Sequence, residues 1–478
     1  MTALIAAVLI GGVFFTALDQ TGVVTAIPDM IAEFEISFDA LDQTAWIISG
    51  FLLGYTVAMP LAGRLSDLHP RQRVYVGALA VFVAGSILSA LAPTVWVLVV
   101  GRVMQAAGGG AVVPVSMAIV AAAYVGRARY VAIGTVAAAA EAGGVIGPLW
   151  GGAITEWIDW RWIFWLNVPV SAVIAPIVWR ATLPRPEGRG AIEWTTLACL
   201  AAALTLGVLG LSLPPGVQPG LMAILLATSV LLLAAVVLRS LRSATPILDV
   251  RLFKDRRYAA ANVASLLMGC GLIVAMVNVP LFSSAILQRG SLDGGLLLMR
   301  MTLWIPLAAL VGAWLAARLG PGPIAAFGFV AAAGGLALQR GWDTSVTEWI
   351  MTRDLSLAGI GFGLVLAPLT ASAIAVAGPA FAGVAAGVVV VARLVGMMVS
   401  VAWLTPWGVH QFKERAAFVP APAGSGAEFD RAMGVYAQSI IDIQVGVFHD
   451  LFTIAAIVIV LAVGPALFLG VRSVREVP

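Results

Sequence analysis

EAGGVIGPLWGG, residues 141 to 152, places one acid, five glycines and one proline inside a long apolar segment. A water-soluble helix would be weakened by so many glycines and broken by the proline. In lipid the same residues are tolerated, because neighbouring helices re-satisfy freed backbone groups and small residues let two backbones approach closely. A carboxylate at that depth is costly and marks function, so Glu141 is a candidate working residue.

Working outward, 61% of the 478 residues are hydrophobic and 11% charged, with a mean hydropathy of +1.01. Too little polar surface exists to cover a water-soluble domain, so the chain reads as an all-α polytopic membrane protein. The spans run roughly 4 to 27, 44 to 65, 74 to 92, 95 to 123, 130 to 155, 161 to 181, 191 to 212, 219 to 239, 258 to 287, 294 to 318, 321 to 340, 351 to 377, 381 to 410 and 450 to 471. The first stretch is of full length and carries Asp19, so it reads as a true span and not a cleavable signal.

Alternate loops gather the basic residues. One set holds Arg64, Arg71 and Arg73, then Arg127 and Arg129, then Arg180, Arg185 and Arg189, and continues through Arg239, Arg242, Arg251, Lys254, Arg256, Arg257 and Arg318 to Arg472 and Arg475. The opposite loops of the first part hold Asp29, Glu33, Glu35, Asp39 and Asp42. The positive-inside rule then puts both termini in the cytoplasm, which an even number of spans requires. The net charge of +3 sits in these short loops and argues for no nucleic-acid partner. Cys199 and Cys270 fall in apolar segments, so no disulfide framework is expected. His69, His410 and His449 are scattered, which leaves no metal-ligand spacing and no constellation for a membrane acyltransferase.

Gly143, Gly147, Pro148, Gly151 and Gly152 match the fifth-helix antiporter motif of the major facilitator superfamily, which its proton-driven exporters carry. LDQT at 18–21, with Pro28 further on, resembles the first-helix motif of the superfamily's fourteen-helix drug:proton antiporter branch. GRLSDLHPRQR at 63–73 resembles the cytoplasmic gating motif between helices 2 and 3, with Gly63, Asp67, Arg71 and Arg73 in place and Pro70 where the family has glycine. On that reading Asp67 stands near the start of a loop, where it accepts from basic groups or a helix N-terminus. Arg102 and Gln105 in GRVMQAAGGG resemble the fourth-helix motif, whose arginine faces the pathway. GVVVVARLVG at 387–396, with EAGGVIGPLWG and RLFKDRRYAAANVASLL, resembles the triacylglyceride exporters of mycobacteria, members of the same superfamily that hand lipid to an extracytoplasmic lipoprotein.

The resemblance implies twelve core helices in two six-helix halves, residues 1–185 and 246–478, with an inserted helix pair at 186–245. The insertion is expected to serve packing or lipid contact. The implied function is a proton-coupled secondary exporter in the inner (plasma) membrane, moving triacylglyceride-like or other long-chain lipid outward by alternating access. The alternative is a multidrug:proton antiporter exporting amphipathic drugs. Protons are the coupling ion, with no other cofactor and no metal, and the implied partners are the lipid or amphipathic substrate, the membrane and a lipoprotein acceptor.

Asp19, Arg102, Glu141 and Arg393 fall at similar depth in the apolar core. Buried ions of opposite sign offset one another's desolvation, and a carboxylate beside a movable guanidinium can be switched between holding and releasing a proton. Asp19 and Glu141 are therefore the candidate proton-linked acids, Arg393 the mobile counter-ion and Arg102 a fixed one. Gln105, Asn278 and Arg300 are candidate pathway residues. Finally, EFDRAMGVYAQSIIDIQVGVFHDLF at 428–452 repeats apolar residues at helical spacing, so helices 11 and 12 are expected to project beyond the outer face over about 405–450.

Overall fold

The computed structural model describes residues 3–36, 42–124, 126–181, 183, 193–213, 218–243, 250–377, 382–420, 422 and 427–470. The side chains of Asp42, Asp67, Arg127 and Arg129 lie outside the described residues, as do Asp39, Arg185, Arg189, Arg472, Arg475 and the expected boundaries at 185/186 and 245/246.

Helices α1 (Ala3–Glu33), α2 (Asp42–Leu68), α3 (Arg71–Ala90), α4 (Val95–Ala123), α5 (Gly126–Trp157), α6 (Trp162–Trp165) and α7 (Asn167–Trp179) form a first bundle. The inserted pair is α8 (Trp194–Leu211) and α9 (Pro219–Arg242). A second bundle holds α10 (Arg256–Ala285), α11 (Ser291–Thr302), α12 (Trp304–Leu319), α13 (Pro321–Gln339), α14 (Glu348–Ala377), α15 (Ala382–Ala416), α16 (Ala427–Leu461) and α17 (Val463–Leu467). Thirteen spans among the described residues are long and apolar enough to cross a membrane, and α5, with 32 residues, is a fourteenth long helix.

Proline chemistry explains where the spans break. The expected span 161–181 is divided at Leu166, 294–318 at Leu303 and the last one at Ala462. In each case a proline, Pro169, Pro306 or Pro465, stands four residues beyond the end of the preceding helix, where its ring collides with that residue's carbonyl. Pro148 has the same effect without a break, because the carbonyl of Gly144 that it orphans accepts from Thr21 Oγ1 of α1 at 3.1 Å.

The antiporter motif is a packing seam with two faces. Gly143, Gly147 and Gly151, four residues apart, lie along one side of α5, so close to α1 that a Cβ at any of them would strike Phe14 O, Thr21 Oγ1 or Gly22 O. Gly152 faces the other bundle, where a Cβ would come within 2.6 Å of Ser291 O.

Two expectations are corrected. The expected loop from Gly63 to Arg73 is almost all helix: α2 runs on to Leu68 and α3 starts at Arg71, leaving only His69 and Pro70 between them. Asp67 thus stands in the last turn of α2 instead of a loop. Helix 11 is expected to continue through Trp407, Phe412 and Phe418, but α15 ends at Ala416 and Phe418 follows it in a turn.

The region of the expected extension is mostly helical, in α15 and α16. α15 and α16 have 35 residues each, or about 52 Å at 1.5 Å per residue, well beyond a hydrocarbon core of about 30 Å. Arg415 and Asp450 tie the two together at 2.6 Å. We term the side carrying this stalk the distal face and the opposite side, with the start of α1 and the end of α17, the terminal face. The inserted α8 packs against both α2 and α15, one from each bundle, while α9 turns Ile224, Val230 and Leu231 outward.

Replacing Gly151 by Leu should lower the detergent-solubilised melting temperature sharply or prevent recovery of folded protein, because overpacking a backbone contact costs about 1–3 kcal/mol or more. Gly144→Ala, whose Cβ would meet open space, should melt like the parent.

Candidate functional site

Asp19 lies at the centre of the first bundle, 1% exposed, and its donors come from α4 and α7. Its Oδ2 accepts from Arg102 Nη1 at 3.0 Å, and its Oδ1 accepts from Gln105 Nε2 at 3.0 Å and Asn167 Nδ2 at 2.8 Å. Arg102 Nη1 also donates to Gln105 Oε1 at 2.5 Å, the two side chains sharing one face of α4 at three-residue spacing. Ser86 of α3 accepts from Gln105 at 2.8 Å and from Asn167 at 3.0 Å, then donates to Phe82 O at 2.9 Å. The Arg102 guanidinium lies over the Phe51 ring at 4.0 Å. Glycines bring Ser86 within reach of Gln105: Gly85, Gly101 and Gly108 let the α3 and α4 backbones touch.

Ser86, Asn167 and Phe51 were missed in the sequence, which marked Asp19, Arg102 and Gln105. A lone neutral polar residue in an apolar span carries no charge signal, although Asn167 in WLNVP was the one amide of its segment.

The second pair is built differently. Arg393 Nη2 of α15 reaches Glu141 Oε1 of α5 at 3.3 Å, across the two bundles. Its members are 16% and 41% exposed, against 2% and 1% for Arg102 and Asp19. The Arg393 backbone is held firmly, with its carbonyl against Gly269 of α10, so freedom resides in the side chain. Tyr55 lies within electrostatic reach of both Arg393 and Glu141 and stacks at 5.9 Å on Phe51, the ring that carries Arg102. The Phe51–Tyr55 pair is thus in touch with the locked ion pair at one end and the loose one at the other.

Among the described residues two more hydrogen bonds join the bundles, Thr302 Oγ1 to Val145 O at 3.2 Å and Ser291 Oγ to the Asp29 carboxylate. Both lie on the distal side of the Glu141–Arg393 pair. Between the bundles on that side is a cavity of about 390 Å³ walled by α1, α2, α10, α15 and α16. Its lining is mostly aliphatic and aromatic, including Ile48, Val277, Leu404, Val447 and Phe448, with Asn278 and Gln444 among the few polar groups. A narrower pocket below shares Ile48 and Ile273 with it and reaches Arg102 and Met397.

The other marked residues are dispersed. Gly63 accepts from Ser66 Oγ at 2.7 Å within the last turns of α2, and Arg71 and Arg73 open α3 on the terminal face. Asn278 lines the cavity while donating to Val274 O at 2.8 Å. Arg300 is placed away from the central pairs, at the distal surface, bound to Glu348 at 2.6 Å and donating to Thr352 Oγ1 at 2.8 Å. Its long stem lets the guanidinium reach a carboxylate outside the apolar core.

Comparison with known proteins adds the following. The model of the Major Facilitator Superfamily matches residues 9–401. The triacylglyceride transporter of Mycolicibacterium smegmatis is 35% identical over 481 residues, covering 95% of this chain and 84% of that protein. The triacylglyceride transporter of Mycobacteroides abscessus is 36% identical over 441 residues, covering 87% and 84%. Among solved structures, a bacterial homologue of the human lysosomal transporter Spinster, in its inward-facing unoccupied conformation, shares the fold with a TM-score of 0.63 at 16% identity, covering 97% of each chain. A D-xylose-proton symporter gives 0.64 at 13% identity, covering 95% of this chain and 96% of that one.

Arg102→Ala would strand Asp19 in a dry site, so it should destabilise the protein by about 3–5 kcal/mol. Arg393→Ala leaves a half-exposed carboxylate and should shift thermal unfolding little, a contrast measurable by melting both variants in detergent.

Proposed function

The chain belongs to the major facilitator superfamily, a transporter and not an enzyme and a multi-pass protein of the inner (plasma) membrane, and we propose that it exports long-chain, triacylglyceride-like lipid in exchange for protons. The observation that carries this reading is the loose Glu141–Arg393 pair spanning the two bundles next to an apolar cavity. A water-soluble or strongly polar cargo would gain nothing in a cavity walled by Ile48, Val277, Leu404 and Val447, whereas an acyl chain finds there the surroundings it leaves in the bilayer. The relatives named for triacylglyceride transport favour the same cargo over amphipathic drugs.

The terminal face is assigned to the cytoplasm by its basic loops, and the stalk then stands outside the cell membrane. A proton arriving on Glu141 cancels the charge that holds Arg393, which weakens one of the ties between the bundles and lets them rock. Asp19, held by Arg102, Gln105 and Asn167, is the second proton-linked acid, and Arg102 its fixed counter-ion. Thr21 and the glycines of α5 keep α1 and α5 moving as one body. Outside the membrane, exposed Phe418, Phe429, Met433 and Val435 on and beside the stalk offer apolar surface to lipid leaving the bilayer or to a lipoprotein acceptor.

The test is outward movement of a labelled triacylglyceride in vesicles holding the purified chain under an imposed pH gradient. Glu141→Gln and Arg393→Gln should each cut gradient-driven movement about tenfold or more while leaving the protein folded. Lipid movement indifferent to the gradient and to both variants would sink the coupling. Gradient-driven movement of amphipathic dyes with none of lipid would reassign the cargo to drugs.

A further inference from the structure

Four charged side chains gather at the distal ends of α11 and α14, outside the route described above. Glu348 accepts from Arg289 Nη1 on one carboxylate oxygen at 2.5 Å and from Arg300 Nη1 on the other at 2.6 Å. Arg300 also donates to Glu348 O at 3.3 Å and to Thr352 Oγ1 at 2.8 Å. With Asp293, which is exposed, these groups line an open cleft of about 570 Å³.

We propose that this cleft binds the headgroup of an amine-bearing zwitterionic phospholipid from the distal leaflet. Two guanidiniums carry ten N–H donors between them, far more than one carboxylate with two oxygens can accept, and both are about one-third exposed. Such a fork suits a phosphate. The cluster as a whole is neutral, two arginines against Glu348 and Asp293, so a purely anionic headgroup would meet Asp293 unfavourably. An ammonium a few ångströms from the phosphate answers that carboxylate. A free anion would be served by the arginines alone, but the surface below the cleft is built for chains. Leu296, Leu303, Leu307 and Leu310 are all exposed and recur at helical spacing down α11 and α12, and Trp349 stands 73% exposed at the cleft's edge, as tryptophan does at a membrane interface. Headgroup and acyl chains are thus accommodated in line. The inference does not depend on the cargo or on proton coupling.

The experiment is native mass spectrometry of the delipidated full chain offered equimolar phosphatidylethanolamine and phosphatidylglycerol. The parent should retain phosphatidylethanolamine about fivefold or more over phosphatidylglycerol, a difference of roughly 1 kcal/mol. Arg289→Gln with Arg300→Gln should abolish retention of both. Asp293→Asn, a surface change with no fold to disturb, should move the preference toward phosphatidylglycerol. Equal retention of the two lipids by the parent, or a profile that neither variant alters, would overturn the proposal and leave the cluster as a salt-bridge network. Displacement of phosphatidylethanolamine by millimolar inorganic phosphate would overturn it too, making the cleft a site for free phosphate.

Discussion

In a bilayer no water is at hand to partner a stray polar group, and the first bundle is arranged around that constraint. Asp19 is the costliest group it contains. Its two oxygens are met by Arg102, Gln105 and Asn167, and through Ser86 the network reaches a fourth helix. Because α1, α3, α4 and α7 each supply a member, none can move without leaving a buried ion or amide unpaired. The same constraint acts on the backbone at Pro148, where Thr21 satisfies the carbonyl the proline orphans. Side chains of α1 thereby answer polar groups of both α4 and α5, which makes the bundle one body.

The contrast with Glu141 and Arg393 follows from how many partners each pair has. A fully enclosed pair with several hydrogen bonds is expensive to open. A single 3.3 Å contact between side chains 16% and 41% exposed, on different bundles, is cheaper to open and to remake. Interchanging the two arrangements would give a loose bundle and a rigid seam, the reverse of what alternating access needs. The stacked pair Phe51 and Tyr55 stands beside both, Phe51 under the Arg102 guanidinium and Tyr55 near Glu141 and Arg393.

Much of this was legible in the sequence because charge in an apolar span is a loud signal: Asp19, Arg102, Glu141 and Arg393 could be picked out, and the structure pairs them two by two. The antiporter motif named the glycines but not their division of labour, since only coordinates show that Gly151 faces α1 and Gly152 faces α11. The gate motif misled on secondary structure. Polar residues at a membrane boundary look like a loop whether or not the helix continues through them, and α2 continues to Leu68. Asn167 and Ser86 were silent because neutral groups are common in spans, and their role depends on what lies opposite. Arg300 was ambiguous because a residue number gives the depth of Cα, whereas a guanidinium on a long stem can end near the interface.

The seams between bundles are not alike, and the difference bears on how they can move. Between α5 and α11 the contact is largely backbone on backbone, Gly152 on Ser291 O and Gly295 on Pro148 O, with the Thr302 Oγ1 hydrogen bond to Val145 O as its side-chain link. Such a contact tolerates small rotations, because sliding it disengages no knob from a hole. Helices α2 and α15 share one apolar cluster, with Ile48 and Phe51 from the first and Leu394 and Met397 from the second, and α8 touches both helices. Separating that seam means repacking three helices, not two. For the rocking proposed above, the glycine contact is the natural pivot and the α8-braced seam the one that must shear. The inserted pair is therefore more than lipid-facing bulk, since α8 braces one helix of each bundle while α9 faces outward.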